Sequence, residues 1–183
     1  MAWLAGERVV LRAWERDDVR AAWEVAQSVE GKNEQLRDWL KPPRSLEEME
    51  REFEANAANP PADVLEFVIQ AEGRAVGDID LFHIEDRNRC AMVGIGIWRT
   101  EDRGKSYGYD AIRTVARWAF DHLNLHRLEL SVDPENAPAR RIYEKCGFVA
   151  EGTRRSRHFE DGAYHDELIM GLLREDFDAR EGK

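Results

Sequence analysis

The 183-residue sequence contains only two cysteines, Cys90 and Cys146, and it has no long apolar run. Two cysteines make neither a disulfide framework nor a metal-ligand cluster, so we expect no metal. The longest apolar stretch, residues 91–98, contains two glycines and is too short to span a bilayer. The first ten residues lack the apolar core of a signal peptide. We therefore expect a soluble, cytoplasmic protein with no membrane partner.

Positive charge is also scarce, because 27 lysines and arginines stand against 37 aspartates and glutamates, for a formal net charge of −10. Sequence-independent binding of nucleic acid depends on lysine and arginine to neutralise phosphates. The balance of charge therefore argues against a nucleic-acid partner. It leaves room for a cationic substrate drawn in by the summed field, although solubility alone explains the charge equally well.

The sequence has no linker rich in proline, glycine or serine and no internal repeat, so we expect one α/β domain spanning residues 1–183. Alternating and apolar runs predict seven strands at residues 7–13, 66–70, 75–83, 91–98, 127–132, 148–159 and 164–173. Two predicted helices separate the first two strands, and the last two strands form a hairpin. The sheet should therefore be mixed.

Four helices are predicted from their caps and periodicity. Asp17 or Asp18 can cap the first, which runs toward Gly31, and a capping box at residues 45–48 opens the second, which ends near Asn56. The third has the clearest apolar period of the chain, at residues 112–123, and the fourth spans residues 138–146. Pro138 suits the first turn of that last helix.

The turn before the third helix has the composition of a phosphate-binding site. It consists of Arg103, Gly104, Lys105, Ser106, Tyr107 and Gly108. Small residues let the backbone approach a ligand, and a helix N-terminus offers unpaired N–H groups and a positive dipole end. This geometry suits a pyrophosphate, although a tight connection between a strand and a helix without a ligand has the same composition. Neither a Walker motif nor a Rossmann fingerprint is present.

Asn136 and Tyr143 flank the fourth helix. The spacing puts Asn136 at the helix entrance and Tyr143 about one turn before its end. Taken alone, Asn136 is a typical helix cap and Tyr143 a typical buried aromatic residue. Together with the turn at residues 103–108, however, they form a recurring pattern.

This pattern resembles the GNAT superfamily of acyl-CoA-dependent N-acetyltransferases over almost the whole chain. The resemblance rests on residues 91–97 leading into 103–108, on the spacing from Asn136 through Tyr143 to Phe148, and on the closing segment 159–168. Residues 39–48 and that closing segment are similar to the RimJ/RimL branch, whose members acetylate N-termini of ribosomal proteins or various other amines.

The resemblance implies a mixed, mostly antiparallel sheet of about seven strands with four main helices. Strands four and five would splay apart to hold the pantetheine arm of acetyl-CoA. The residues that would bind acetyl-CoA are Ile95, Gly96, Ile97, Arg103, Gly104, Lys105, Ser106, Tyr107, Gly108, Asn136 and Tyr143. Tyr143 would also protonate the departing thiolate.

Two positions depart from the family pattern. Ser106 stands where the family has a glycine, and its Cβ would crowd the phosphate if the backbone there needs a positive φ. Met92 and Ser131 stand where many relatives carry a glutamate that serves as the base. We expect His158 to take that role, with His83 and Glu129 as the other candidates. Trp39, Phe82 and His83 are the residues that we expect to line the acceptor pocket.

The sequence therefore predicts direct transfer of an acetyl group from acetyl-CoA to a primary amine. The acceptor could be a protein N-terminal amine, a polyamine or another small amine, and a cationic acceptor fits the acidic chain. The alternative is an acyl-CoA-binding module of the same fold with weak or no catalysis, and a weaker third reading is an oligomeric scaffold. The sequence does not exclude that the chain forms a homodimer.

Overall fold

The computed structural model describes residues 4–27, 44–160 and 162–182. Within these residues eight strands form one sheet in the order β1-β2-β3-β4-β5-β6-β8-β7. The strands are β1 (Leu4–Ala5), β2 (Val10–Arg12), β3 (Leu65–Ala71), β4 (Arg74–Glu85), β5 (Cys90–Ile97), β6 (Arg127–Val132), β7 (Val149–Glu160) and β8 (Ala163–Leu173). Every neighbouring pair is antiparallel except β5 and β6, which are parallel. The expectation of a mixed, mostly antiparallel sheet is confirmed.

Five helices lie among the described residues. They are α1 (Arg16–Ala26), α2 (Leu46–Ala58), α3 (Tyr107–His122), α4 (Ala137–Cys146) and α5 (Arg174–Glu181). Most apolar residues of α3 are fully buried and share one core with the inward-facing residues of the central strands, while Tyr109 and Trp118 are partly buried at its edge. No helix in these ranges combines the length and the apolar character needed to cross a membrane.

The ends of the first strand and of the first helix differ from the predictions, and Asp110 and Asp18 explain why. Residues 7–9 are not part of β2, because the Asp110 carboxylate accepts the backbone N–H groups of Glu7 (3.1 Å), Arg8 (2.6 Å) and Val9 (3.0 Å). The prediction of Asp17 or Asp18 as the cap of α1 is wrong, because the helix is capped by Glu15. The Asp18 carboxylate reaches back to the backbone N–H of Glu15 at 2.8 Å.

The predicted second helix is confirmed with its capping box, since the Ser45 hydroxyl accepts the Glu48 N–H at 3.1 Å and the Glu48 carboxylate accepts the Ser45 N–H at 2.8 Å. Among the residues described, there are one strand and one α-helix more than the sequence predicts. Strand β1 has two residues, which is too short for a periodic pattern. Helix α5 is mostly charged, and the buried residue that anchors it is Phe177.

Strands β5 and β6 splay apart as the sequence predicts for strands four and five. They pair only from Cys90, Ala91 and Met92 to residues 127–129, and beyond Glu129 the pairing stops. Residues 93–97 of β5 therefore have β4 on one side and a gap on the other. This gap, between β5 and β6, is where the candidate site lies.

Candidate active site

A cavity of about 240 Å³ occupies the gap between β5 and β6. It is lined by Ile95, Ser131, Val132, Asp133, Asn136, Tyr143, His158 and Glu167. Strands β5 to β8 and helix α4 each contribute at least one of these residues. Four residues singled out from the sequence for different roles, Ile95, Asn136, Tyr143 and His158, therefore meet in one place.

The unpaired half of β5 can take an extended ligand as an additional strand. Gly96 pairs with Asp78 of β4, so the backbone of residues 95–97 is bonded on one side and open on the side of the gap. An open strand edge presents a row of N–H and C=O groups that suits an amide-containing chain such as pantetheine. At the end of the strand, the Arg103 guanidinium donates to the Ile97 carbonyl oxygen at 3.2 Å.

The turn before α3 is exposed and lies directly at the helix N-terminus. Residues 103–106 are exposed, and the helix begins at Tyr107, so the first N–H groups of α3 have no partner within the helix. Gly104 has φ +74° and Ser106 has φ +67°, which is the left-handed region. The backbone at Ser106 thus has the positive φ that favours the glycine of the family pattern.

Asp102 binds two basic side chains, Arg74 and Lys105, beside this turn. It is 1% exposed and accepts both terminal nitrogens of Arg74, at 2.7 and 2.5 Å, and the Lys105 ammonium at 3.3 Å. These hydrogen bonds hold the pKa of Asp102 below its ordinary value. The side chain of Tyr107 points into the core and its hydroxyl donates to Glu72 at 2.8 Å, which leaves the backbone of Tyr107 for a ligand.

Asn136 and Tyr143 stand at the two ends of α4. The side-chain oxygen of Asn136 caps the helix by accepting the Ala139 N–H at 3.2 Å, as expected of a residue at this position. Tyr143 packs its ring edge-on against Phe148, with 6.0 Å between centroids. Burial raises the pKa of Tyr143 to about 12, so its hydroxyl stays protonated at neutral pH and can donate a proton.

His158 lines the same cavity from strand β7. It is 7% exposed, and its ring stacks on that of His165, with 5.3 Å between centroids and 18° between planes. Ser131 lines the same cavity, and its hydroxyl oxygen is buried with no hydrogen-bond partner among the described residues.

The other candidates for the base and the acceptor pocket are not among the residues that line this cavity. His83 is exposed, has φ +51° at an irregularity of β4 and lies 3.9 Å from Asp63. Phe82 is half-buried beside it, with ring centroids 5.2 Å apart. Glu129 accepts a hydrogen bond from Arg127 at 2.6 Å. Trp39 lies outside the described residues.

Sequence reasoning missed two carboxylates on β4, Asp78 and Asp80. Asp80 pairs with Gly94 and Asp78 with Gly96, so the two side chains lie over glycines of β5. Burial, the neighbouring Asp78 and then Glu66 raise the pKa of Asp80 to about 7. Burial raises the pKa of Asp78 to about 6, although a hydrogen bond from the Trp98 indole N–H opposes the rise. The sequence does contain a pattern that points to them. Acidic residues alternate in Asp78-x-Asp80 and glycines alternate in Gly94-x-Gly96, both with the two-residue period of a strand.

Comparisons with known proteins find relatives that match most of this chain. The model of the acetyltransferase (GNAT) domain family matches residues 8–149. The spermidine N(1)-acetyltransferase of Vibrio cholerae is 30% identical over 167 residues, which are 91% of this chain and 93% of that protein. A crystal structure of a spermidine N-acetyltransferase from Vibrio cholerae in complex with CoA and spermine has a TM-score of 0.80 at 28% identity, and the match covers 93% of this chain and 98% of the other. A dodecameric structure of the enzyme from the same organism has a TM-score of 0.77 at 27% identity, with 94% and 98% covered.

Proposed function

This chain belongs to the GNAT acetyltransferase family and is an acetyl-CoA-dependent N-acetyltransferase, and from that premise we propose that its acceptor is a polyamine. Within the family we assign it to the RimJ/RimL-like branch. The observation that carries the proposal is the cavity between β5 and β6, because it combines the predicted acetyl-transfer residues with carboxylates that suit a polycation. Asp133 and Glu167 line it, and Asp80 lies on the neighbouring strand β4.

The chain's own residues fit acetyl-CoA, which would supply the activated acetyl group as a thioester. The open backbone edge at residues 95–97 would bind the pantetheine arm, and the turn at residues 103–108 would bind the pyrophosphate. Lys105 and Arg74, held by Asp102, would add positive charge beside the phosphates. Asn136 would bond the pantetheine through the part of its amide that does not cap α4.

In this proposal the backbone N–H groups of the same β5 segment also polarise the thioester carbonyl. A donor aimed at the oxygen where negative charge develops is worth about 3 kcal/mol of transition-state stabilisation. Tyr143 then donates its hydroxyl proton to the departing sulfur. His158 accepts the proton that the amine nitrogen gives up once it has bonded to the acetyl carbon.

A polyamine acceptor is also supported by the relatives and by the charge of the chain. The Vibrio cholerae protein whose match covers nearly the whole chain is a spermidine acetyltransferase, and a structure similar to this chain holds CoA and spermine. The net charge of −10 favours approach of a polycation. The spermidine N-acetyltransferase of Vibrio cholerae has a dodecameric structure, and we propose that this chain also forms homo-oligomers.

A thiol-release assay with acetyl-CoA tests the acceptor directly. We expect turnover with spermidine and spermine to exceed turnover with a matched N-terminal peptide of neutral sequence. Faster turnover of the peptide would contradict the polyamine assignment. Calorimetric binding of CoA with no turnover of any amine would instead favour the alternative of an acyl-CoA-binding module.

A further inference from the structure

The mechanism above leaves one proton without an acceptor. A polyamine nitrogen has a pKa close to that of lysine, so at pH 7 only roughly one molecule in a thousand carries the free amine that can attack. The nitrogen must therefore lose one proton before it attacks and a second one afterwards. Met92 and Ser131, at the positions where many relatives carry a glutamate, cannot accept the first.

We propose that Asp80 is the general base that takes this first proton from the acceptor ammonium; this inference rests on the proposed polyamine acceptor. Asp80 lies on the same sheet face as Met92, because Phe82 pairs with Met92 and Asp80 with Gly94 in the antiparallel register of β4 and β5. The carboxylate thus lies two residue pairs along the register from the usual position of the base, on the neighbouring strand.

The carboxylate of Asp80 lies directly over β5. A Cβ at Gly94 would be 2.6 Å from one carboxylate oxygen and 2.9 Å from the other, so any other residue at Gly94 would displace it. Gly94 belongs to the half of β5 that has lost its partner β6. Asp80 does not itself line the cavity, and the missing side chain at Gly94 leaves its carboxylate room above the strand that borders the gap.

Ser131 lies on β6, across the gap from Gly94 of β5. Met92 is the last residue of β5 that pairs with β6, through Glu129, and a continued register would have placed Gly94 opposite Ser131. The strands separate instead, and the buried Ser131 hydroxyl is left with no partner among the described residues. A buried polar group without a partner requires an explanation, and a bound water or a polar ligand group beside it is one. An ammonium between Asp80 and Ser131 would supply one.

The chemical step is a proton transfer followed by acyl transfer. An N–H bond of the ammonium breaks and an O–H bond forms on Asp80, which leaves the electron pair on nitrogen. The nitrogen then bonds to the acetyl carbon, the carbon–sulfur bond breaks, and Tyr143 gives its proton to sulfur. His158 takes the second nitrogen proton. When the products leave, Asp80 and His158 give up their protons, one to solvent and one to the Tyr143 phenolate, so all three side chains return to their starting states.

The surroundings of Asp80 suit a base that works near neutral pH. Burial and then Asp78 and Glu66 raise its pKa to about 7, and general bases are most efficient when their pKa is close to the working pH. Strand β5 presents Met92, Gly94 and Gly96 to this face and no charge. Helix α1 packs against β4, but its buried carboxylate Asp18 is paired with Arg12 at 2.6 Å.

The test is the pH profile of kcat/KM for Asp80→Asn with the amine that the wild type turns over. We expect a loss of about 10²- to 10³-fold at pH 7 that shrinks as the pH approaches 10, because the solution then supplies free amine. Calorimetric CoA affinity should be unchanged, which shows that the variant is folded. A loss that is equal at every pH, or no loss, would overturn the proposal.

Asp78→Asn is the matched control. Its amide oxygen can still accept the Trp98 N–H, and the substitution removes a negative charge that raises the pKa of Asp80. We expect kcat/KM at pH 8 to stay within about threefold and the acid limb to move to lower pH. A loss as large as that of Asp80→Asn would mean that the pair binds a cation instead, and would overturn the base assignment. If polyamines prove not to be acceptors, the same profiles with another accepted amine still test Asp80.

Discussion

The two sides of the gap between β5 and β6 are built in different ways. On the side of α4 and β7, side chains on regular elements, Asn136, Tyr143 and His158, reach into one cavity. On the side of β4, the important residues of β5 are glycines, and carboxylates from the next strand cover them. The first side is specified by spacing along the chain, whereas the second is specified by which residues meet across two strands. The two sides should therefore respond differently to substitution.

Tyr143→Phe should have the largest effect, on the α4 side. Loss of the acid should lower kcat by about 10²- to 10³-fold with little change in CoA affinity. Because the pKa of Tyr143 is about 12, its titration should not limit the rate below pH 10. Tyr164→Phe, at a tyrosine that is 70% exposed, is the control and should be neutral. Steady-state kinetics with full turnover in Tyr143→Phe would remove this residue from the mechanism.

Gly94→Ala should damage the β4 side without removing a catalytic group. The new methyl group would displace the Asp80 carboxylate, so we expect kcat/KM to fall by about 10- to 100-fold. Overpacking should also cost about 1–3 kcal/mol of stability. Gly152→Ala on β7 is the control, since a Cβ there meets nothing within 4 Å. Equal activity of the two variants in the same assay would show that the reaction does not depend on the position of the Asp80 carboxylate.

Asp80→Asn should stabilise the protein while it slows the reaction. Between about pH 4 and 7, Asp80 is protonated in the folded protein but ionised in the unfolded chain, because folding raises its pKa. The wild type therefore loses stability as the pH rises through this window. We expect the variant to gain about 2 kcal/mol at pH 8, less than the roughly 4 kcal/mol of a full three-unit difference because Asp78 shares the buried charge. Urea unfolding at pH 8 and pH 4 measures it, and the gain should vanish at pH 4.

Ser106→Gly should have the smallest effect, because Ser106 lies in the turn before α3 and belongs to neither side of the gap. Glycine removes the cost of a left-handed residue, about 1 kcal/mol, so Tm should rise by about 2–4 °C. Ser106→Ala keeps the positive φ and should not raise Tm. Thermal unfolding of both variants, with and without CoA, checks this. A lower Tm in Ser106→Gly would mean that the serine hydroxyl matters more than the backbone strain.

The same contrast explains how much could be predicted from the sequence. Helix α3, the capping box at Ser45 and the cluster of Asn136 with Tyr143 were predictable, because each depends on residues close together in the chain. Asp80 was not, because its importance arises from pairing with Gly94 and from burial that raises its pKa. The cap of α1 was misassigned because glutamate is rare at the N-cap position, which Glu15 occupies. Aspartate is the commoner cap, but Asp18 lies three positions after Glu15, where its carboxylate accepts the Glu15 N–H.

The carboxylate of Asp110 has a consequence for how the chain matures during synthesis. It binds three backbone N–H groups of residues 7–9, which are about a hundred positions earlier in the chain. A ribosome adds about 5–20 residues per second, so these groups have no carboxylate to bind for roughly 5 to 20 seconds after they are made. The segment that holds residues 7–9 therefore gains these hydrogen bonds only when helix α3 forms. The edge of the sheet that contains β1 and β2 thus depends on helix α3, which begins at the turn of residues 103–108.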